Sequence, residues 1–105
     1  MHVQVNTDHN IQGDERLREV VEGIVTQGLK TVASRLTRVE VHLKDTNGPK
    51  GGNDIHATIE ARPEGMRPYA VTEKGSDIPQ TVKLAAKTLA SRLDSEIGKR
   101  SRKRP

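Results

Sequence analysis

The sequence contains no cysteine, no phenylalanine and no tryptophan, and only one tyrosine. Without cysteine there is no disulfide framework, no thiolate metal centre and no thiol nucleophile. With one aromatic ring, a surface that stacks successive bases on several aromatic side chains is excluded too. No apolar run approaches the ~20 residues of a membrane span, in keeping with 30% charged residues and a mean hydropathy of −0.74. The opening residues lack the basic segment and the apolar run of a secretory signal, so the expected location is cytoplasmic. The G-x-S-x-G elbow, the Walker loop and the H-E-x-x-H zinc motif are all missing. No catalytic residue, cofactor or small-molecule substrate is therefore assigned, and the expected activity is non-enzymatic.

Valine, leucine and isoleucine together make 23 of the 105 residues, or 22%. That is just above the ~20% below which a chain is better read as disordered. The length suits one domain. The formal charge is +4, but its distribution matters more than its sum. Residues 98–105 carry five cations, Lys99, Arg100, Arg102, Lys103 and Arg104. Without them, residues 1–97 hold 13 basic against 14 acidic side chains, a net charge of −1. The expected organisation is one domain over 1–97 followed by a basic, disordered tail over 98–105, because a charge run without apolar residues has nothing to bury.

Hydrophobic periodicity orders the domain. Val3 and Val5 alternate with polar neighbours as a short strand. Asp14 is placed to cap a helix, with Glu15 and Glu19 where the helix dipole favours anions. Leu17, Val20, Val21, Ile24, Val25, Leu29, Val32 and Leu36 then form one helical stripe of about six turns. Gly23 and Gly28 weaken that helix, and close packing against a sheet would account for them. Arg38–Asp45 and Ile55–Arg62 alternate cleanly as strands on either side of a Gly- and Pro-rich loop, and Tyr69–Lys74 forms a fourth. Asp77 and Gln80 resemble a capping box, with Pro79 tolerated in the first turn. Val82, Ala85, Ala86, Leu89, Leu93 and Ile97 are the stripe of the second helix, and Gly98 is its expected stop. The fold class is α+β: a two-layer β-α-β-β-β-α arrangement. Its four-stranded mixed sheet has β1 parallel to its neighbour, both helices on one face and the other face wet.

Four histidines are present. His42 and His56, outward on neighbouring strands with Glu40 and Glu60 near, match no metal-ligand spacing, so no metal site is assigned. Gly48-Pro49-Lys50-Gly51-Gly52 reads as a phosphate-cradling nest or as a plain hairpin loop. Lys83, Lys87 and Arg92 read as a solvated helix face or as a ridge of phosphate contacts continued by the tail. Arg35 and Arg38 would extend the same basic region.

One family resemblance spans residues 2–97. Leu17-Arg18-Glu19, Arg38-Val39-Glu40-Val41-His42-Leu43, Asn47-Gly48-Pro49-Lys50-Gly51-Gly52 and Ala57-Thr58-Ile59-Glu60 stand in the order and spacing of the ribosome hibernation-promoting factors (the ribosome-associated inhibitor, or protein Y, family), as do Asp77, Val82, Ala85, Ala86 and Leu89. The sequence resembles the short form of that family. The resemblance implies a monomer that binds rRNA of the small ribosomal subunit in the decoding region, where mRNA and tRNA would sit. It implies inhibition of translation and ribosome hibernation under stress, by occupancy alone. On this reading the candidate RNA contacts, taken from the charge pattern of the chain itself, are Lys83, Lys87, Arg92, Lys99, Arg100, Arg102, Lys103, Arg104, Arg35, Arg38 and Lys50. The chain departs from the family pattern at Pro79, where an aromatic is usual, and at Thr88, Ser91 and Ser95, where basic residues are usual. Two other readings stand beside this one: a general RNA- or DNA-binding module, and a protein-binding regulator using the exposed sheet face (His42, Lys44, His56, Thr58, Glu60).

Overall fold

The computed structural model describes residues 1–47 and 54–102, with side chains through Arg100. The glycine-rich loop with Lys50, and the tail residues Lys103 and Arg104, lie outside the described residues. The elements are β1 (His2–Thr7), α1 (Glu15–Gly28), a 3-10 turn (Ala33–Arg35), β2 (Leu36–Asp45), β3 (Ile55–Pro63), β4 (Tyr69–Gly75) and α2 (Ile78–Arg102). The strands lie in the order β1-β2-β3-β4. β1 runs parallel to β2, pairing Val3 with Val39 and Val5 with Val41, and the other two pairings are antiparallel. The expected α+β architecture is the observed one.

Strand alternation supplies one wall of the core. Val39, Val41 and Leu43 of β2 and Ala57, Ile59 and Ala61 of β3 all point inward and are buried. The helices cover that face, α1 against β1 and α2 against β3 and β4. They contribute Val21 and Val25 from α1, and Val82, Ala85, Ala86, Leu89 and Leu93 from α2, none of them accessible to solvent. Both caps form as the sequence predicts. Asp14 accepts from the Leu17 backbone N–H at 2.9 Å, and Asp77 accepts from that of Gln80 at 3.3 Å.

Three expectations are corrected. The first helix does not run to Leu36. It ends at Gly28, and the Leu29 N–H closes the last turn on the Val25 carbonyl at 2.9 Å. Leu29 and Val32 are nonetheless buried, in a connection tucked under the core, and Leu36 opens β2. Helical periodicity persisted past the helix because a buried connection also needs apolar residues. Gly28 and the β-branched Thr31 and Val32 lower the helix propensity there.

The second correction concerns the two glycines, which do not face the sheet. A Cβ at Gly28 would come within 2.7 Å of the Ala86 Cβ, so Gly28 permits the close approach of α1 to α2. Gly23 has nothing within 4 Å of a notional Cβ.

The third concerns Gly98, which is no stop. α2 continues to Arg102, so the basic segment begins as helix rather than as a disordered tail. Cations in the last turns of a helix are favoured by its dipole. Arg100 also ties this end to the β3–β4 turn by donating to the Gly65 carbonyl. Gly65 holds φ +73°, which a side chain would strain.

At the far end of the sheet, the buried Asp45 closes the base of the β2–β3 hairpin. Its Oδ1 accepts from the backbone N–H groups of Asn47 and Asp54 at 3.2 and 3.1 Å. Asp8 in turn accepts from the Asp45 N–H at 3.2 Å, tying the end of β1 to the same point.

The glycines give a paired prediction. Gly23→Ala, mid-helix and open, should stabilise the protein by about 0.5–1 kcal/mol in urea unfolding. Gly28→Ala must push Ala86 away and should destabilise it by about 1–3 kcal/mol. Equal effects of the two changes would show that the helices do not meet at Gly28.

Candidate nucleic-acid interface

The open face of the sheet carries charge of both signs in alternation. Arg38 lies across from Arg62 on β3, and Glu40 across from Glu60. Arg38 is held by the Glu40 carboxylate at 2.6 Å and donates to Gln4 at 3.0 Å. Glu40 also meets His42 at 3.7 Å, and Asp54 meets His56 at 3.4 Å. The two histidines are not opposite each other: His42 faces Thr58 and His56 faces Lys44. Among the described residues no cluster of His, Asp and Glu could hold a metal ion. Arg38, His42 and His56 thus have acidic partners, while Lys44, Arg62 and Lys74 on the same face form no ion pair among the described residues, and Arg38 belongs to this face rather than to the helix side of the molecule.

Asp54 is the one group here whose acidity is clearly displaced. The Thr46 hydroxyl donates to its carboxylate, and this bond holds the pKa below the ordinary aspartate value, against the opposing effect of desolvation and with help from His56 and Lys74.

On the helix side, the expected ridge divides in two. Lys83 and Lys87 are four apart and share one flank of α2. Arg92 comes five residues after Lys87, which carries it ~140° around the helix. The contacts agree. Lys83 borders a groove of about 460 Å³ with Glu19, Val20, Gly23 and Ile24 of α1. Arg92 instead leans toward β4, its guanidinium carbon 5.4 Å from the centre of the Tyr69 ring. Thr88, on that same flank, donates to Glu73 of β4 at 2.8 Å.

Tyr69 gathers charge that the sequence reading did not assign. Arg67, in the β3–β4 turn, also lies 5.4 Å from the ring centre. A signal was available: Arg67 and Tyr69 are two apart, which puts them on one side of an extended chain. The Tyr69 hydroxyl reaches Glu96 at 3.5 Å, and Glu96 pairs with Lys99 at 3.7 Å. Arg35, in the 3-10 turn, lies at the same end, where its carbonyl accepts from the Glu64 N–H at 2.8 Å. Among the described residues, Arg35, Arg67, Lys83, Lys87 and Arg92 form no ion pair. Among the described residues, unpaired cations thus stand on both flanks of α2 and around the β3–β4 turn, and also on α1 (Arg16, Arg18) and on the open sheet face (Lys44, Arg62, Lys74).

Two solved structures share this architecture. A ribosomal subunit interface protein from Coxiella burnetii superposes with a TM-score of 0.77 at 14% identity, covering 93% of this chain and 99% of that one. The N-terminal domain of protein Y from Thermus thermophilus superposes with a TM-score of 0.68 at 17% identity, covering 88% and 94%. This chain has the protein Y fold. No family model matches the sequence, and no curated protein does. Within the protein Y fold, the last helix carries cations here at Lys83, Lys87 and Arg92, while Pro79 lies in its first turn and Thr88 is engaged by Glu73.

The Asp54 contact predicts a pH dependence. Its depressed folded pKa means that the carboxylate adds stability above the unfolded-state value of ~3.9, and that this is lost as pH falls through the lower folded value. Thr46→Val removes the principal cause. Carboxyl NMR titration should then show the Asp54 midpoint moving up toward the ordinary value, and acid loss of the hairpin base should begin at higher pH. An unmoved midpoint would assign the depression to His56 and Lys74 instead.

Proposed function

We propose that this protein is a non-catalytic ribosome-associated factor that binds rRNA of the small subunit in the decoding region and blocks translation, holding ribosomes idle under stress. One observation carries the reading: nearly the whole chain superposes on nearly the whole of a ribosomal subunit interface protein. The unpaired cations along α2 support it, since phosphate contacts need side chains not already neutralised by the protein. On this reading Lys83, Lys87, Arg92, Arg35 and the basic end of α2 touch phosphates, and Arg38, paired on the opposite face, does not. The chain acts as a cytoplasmic monomer by occupying a site, with no substrate turned over. A general RNA-binding module is the second reading. It is favoured by Ser91 and Ser95, uncharged and exposed on the last helix, and by Thr88, uncharged and engaged by Glu73.

The test is co-sedimentation with ribosomes through gradients at low and high salt, beside binding to an arbitrary duplex RNA. A surface making about five phosphate contacts should lose roughly a hundredfold in affinity between 50 and 200 mM salt. Co-migration with small subunits at low salt, with weaker duplex binding, supports the ribosomal reading. Equal affinity for both selects the general module, and migration only at the top of a low-salt gradient removes the ribosomal role. Truncation after Ile97 should weaken binding and flatten its salt dependence. Because this cut also removes Arg100 from the Gly65 carbonyl, it should loosen the β3–β4 turn. Truncation after Arg102 keeps that bond and isolates the contribution of the last cations.

A further inference from the structure

We propose that Arg67 and Arg92 form a two-arginine clamp for the phosphodiester backbone of RNA, pre-organised by the ring of Tyr69. The inference rests on the RNA-binding reading above and assigns to it residues that come from two distant stretches of sequence.

The ring is a fixed reference point. Tyr69 is 7% exposed and belongs to the hydrophobic core, and it pairs in register with Ala61 of β3. Both guanidinium carbons lie 5.4 Å from its centre, inside the ~6 Å range of cation–π attraction. The two guanidinium carbons therefore stand at most twice that distance apart in this structure. Arg67 directly precedes Pro68, which restricts its backbone to extended conformations. The arginine of the turn and the arginine of α2 are thus both positioned before any ligand arrives, which reduces the entropy lost on binding.

Their hydrogen-bonding capacity is unused. Each guanidinium has five N–H donors. Among the described residues, neither Arg67 nor Arg92 donates one to a protein acceptor or forms an ion pair. The nearby carboxylate, Glu96, is engaged by Lys99 and the Tyr69 hydroxyl. Two like charges held beside one ring, with their donors open, suit an anion that presents several oxygens. Arginine forks match phosphate oxygens in a way that lysine cannot. Because Tyr69 is covered, the ring itself does not stack on a base. The clamp grips the backbone and reads no sequence.

The experiment measures binding of the full chain to a labelled single-stranded RNA 20-mer and to purified ribosomes between 50 and 200 mM KCl. Arg67→Ala and Arg92→Ala should each weaken RNA binding several-fold and lower the slope of log affinity against log salt by about 0.7–0.9. Arg67→Lys and Arg92→Lys should keep the slope and still lose affinity, because charge remains and the fork does not. Tyr69→Phe should bind like the parent, while Tyr69→Leu, checked for folding by circular dichroism, should lose affinity although both arginines remain. Arg38→Ala, which removes a paired arginine on the opposite face, sets the background. Slopes for Arg67→Ala and Arg92→Ala no different from that of Arg38→Ala would overturn the clamp. If the parent pellets with ribosomes while these variants do so unchanged, the clamp fails and the ribosomal role stands. If the parent binds the 20-mer but not ribosomes and the variants lose the 20-mer, the clamp stands and the ribosomal role fails. A parent that binds neither overturns both.

Discussion

The thinness of the aliphatic layer between sheet and helices is the constraint on which the rest depends. With a single aromatic ring in the chain, the core is filled by valine, leucine, isoleucine and alanine. Such a core closes only if the layers approach tightly. Small residues therefore sit where backbones come nearest: Ala57 and Ala61 on β3, Ala85 and Ala86 on α2, and Gly28 against Ala86. The close seam fixes where α2 lies over β3 and β4. That position in turn brings Arg92, Thr88 and Glu96 beside β4. The one large ring, Tyr69, fits at the edge of this layer, where its hydroxyl reaches Glu96 and its ring meets Arg67 and Arg92. Packing needs thus place the charged groups that face solvent.

Charge follows the same division into layers. On the open sheet face Arg38 and His42 share Glu40 and His56 meets Asp54, whereas Arg62, Lys44 and Lys74 form no ion pair among the described residues. Exposed pairs of this kind contribute little stability, typically 0–1 kcal/mol each. Their larger consequence is to weaken the field locally, around Arg38, His42 and His56. Along α2 and the β3–β4 turn, cations stand without carboxylate partners, and there the field is left open to act on a polyanion. A body whose charges nearly balance can therefore still present locally attractive patches.

How much of this was legible in the sequence depends on the physical signal. Period-2 alternation marked β2 and β3 almost residue for residue, because one face of each is buried and the other wet. The cap at Asp14 and the apolar stripe of α2 were legible for similar local reasons. The end of α1 was not, since Leu29 and Val32 continue a helical pattern while serving a buried connection. Gly98 misled because a glycine inside a helix costs only about 1 kcal/mol, and Arg100, two residues on, is tied to a carbonyl 35 positions earlier in the chain. The division of Lys83 and Lys87 from Arg92 was readable from helical geometry alone, whereas the meeting of Arg67 with Arg92 was not, because it depends on the tertiary placement of Tyr69. The order and spacing of apolar residues carried the fold resemblance at an identity of 14–17%. They constrain the core and say little about which surface positions hold charge.

The helical extension of α2 changes what the basic end of the chain can do. Lys99 and Arg100 are held on the last turns, one paired with Glu96 and the other spent on the Gly65 carbonyl. Their charge still contributes to the long-range field, because neither contact removes it from solvent. Their first role, however, is to fasten the helix end to the β3–β4 turn. That turn carries Arg67, so the tail and the Tyr69 cluster are mechanically linked. On the proposed RNA-binding reading, a polyanion attracted by the end of α2 would meet arginines whose positions that same end helps to hold. Attraction and positioning, which the charge count alone would assign to separate parts of the chain, converge on one edge of the fold.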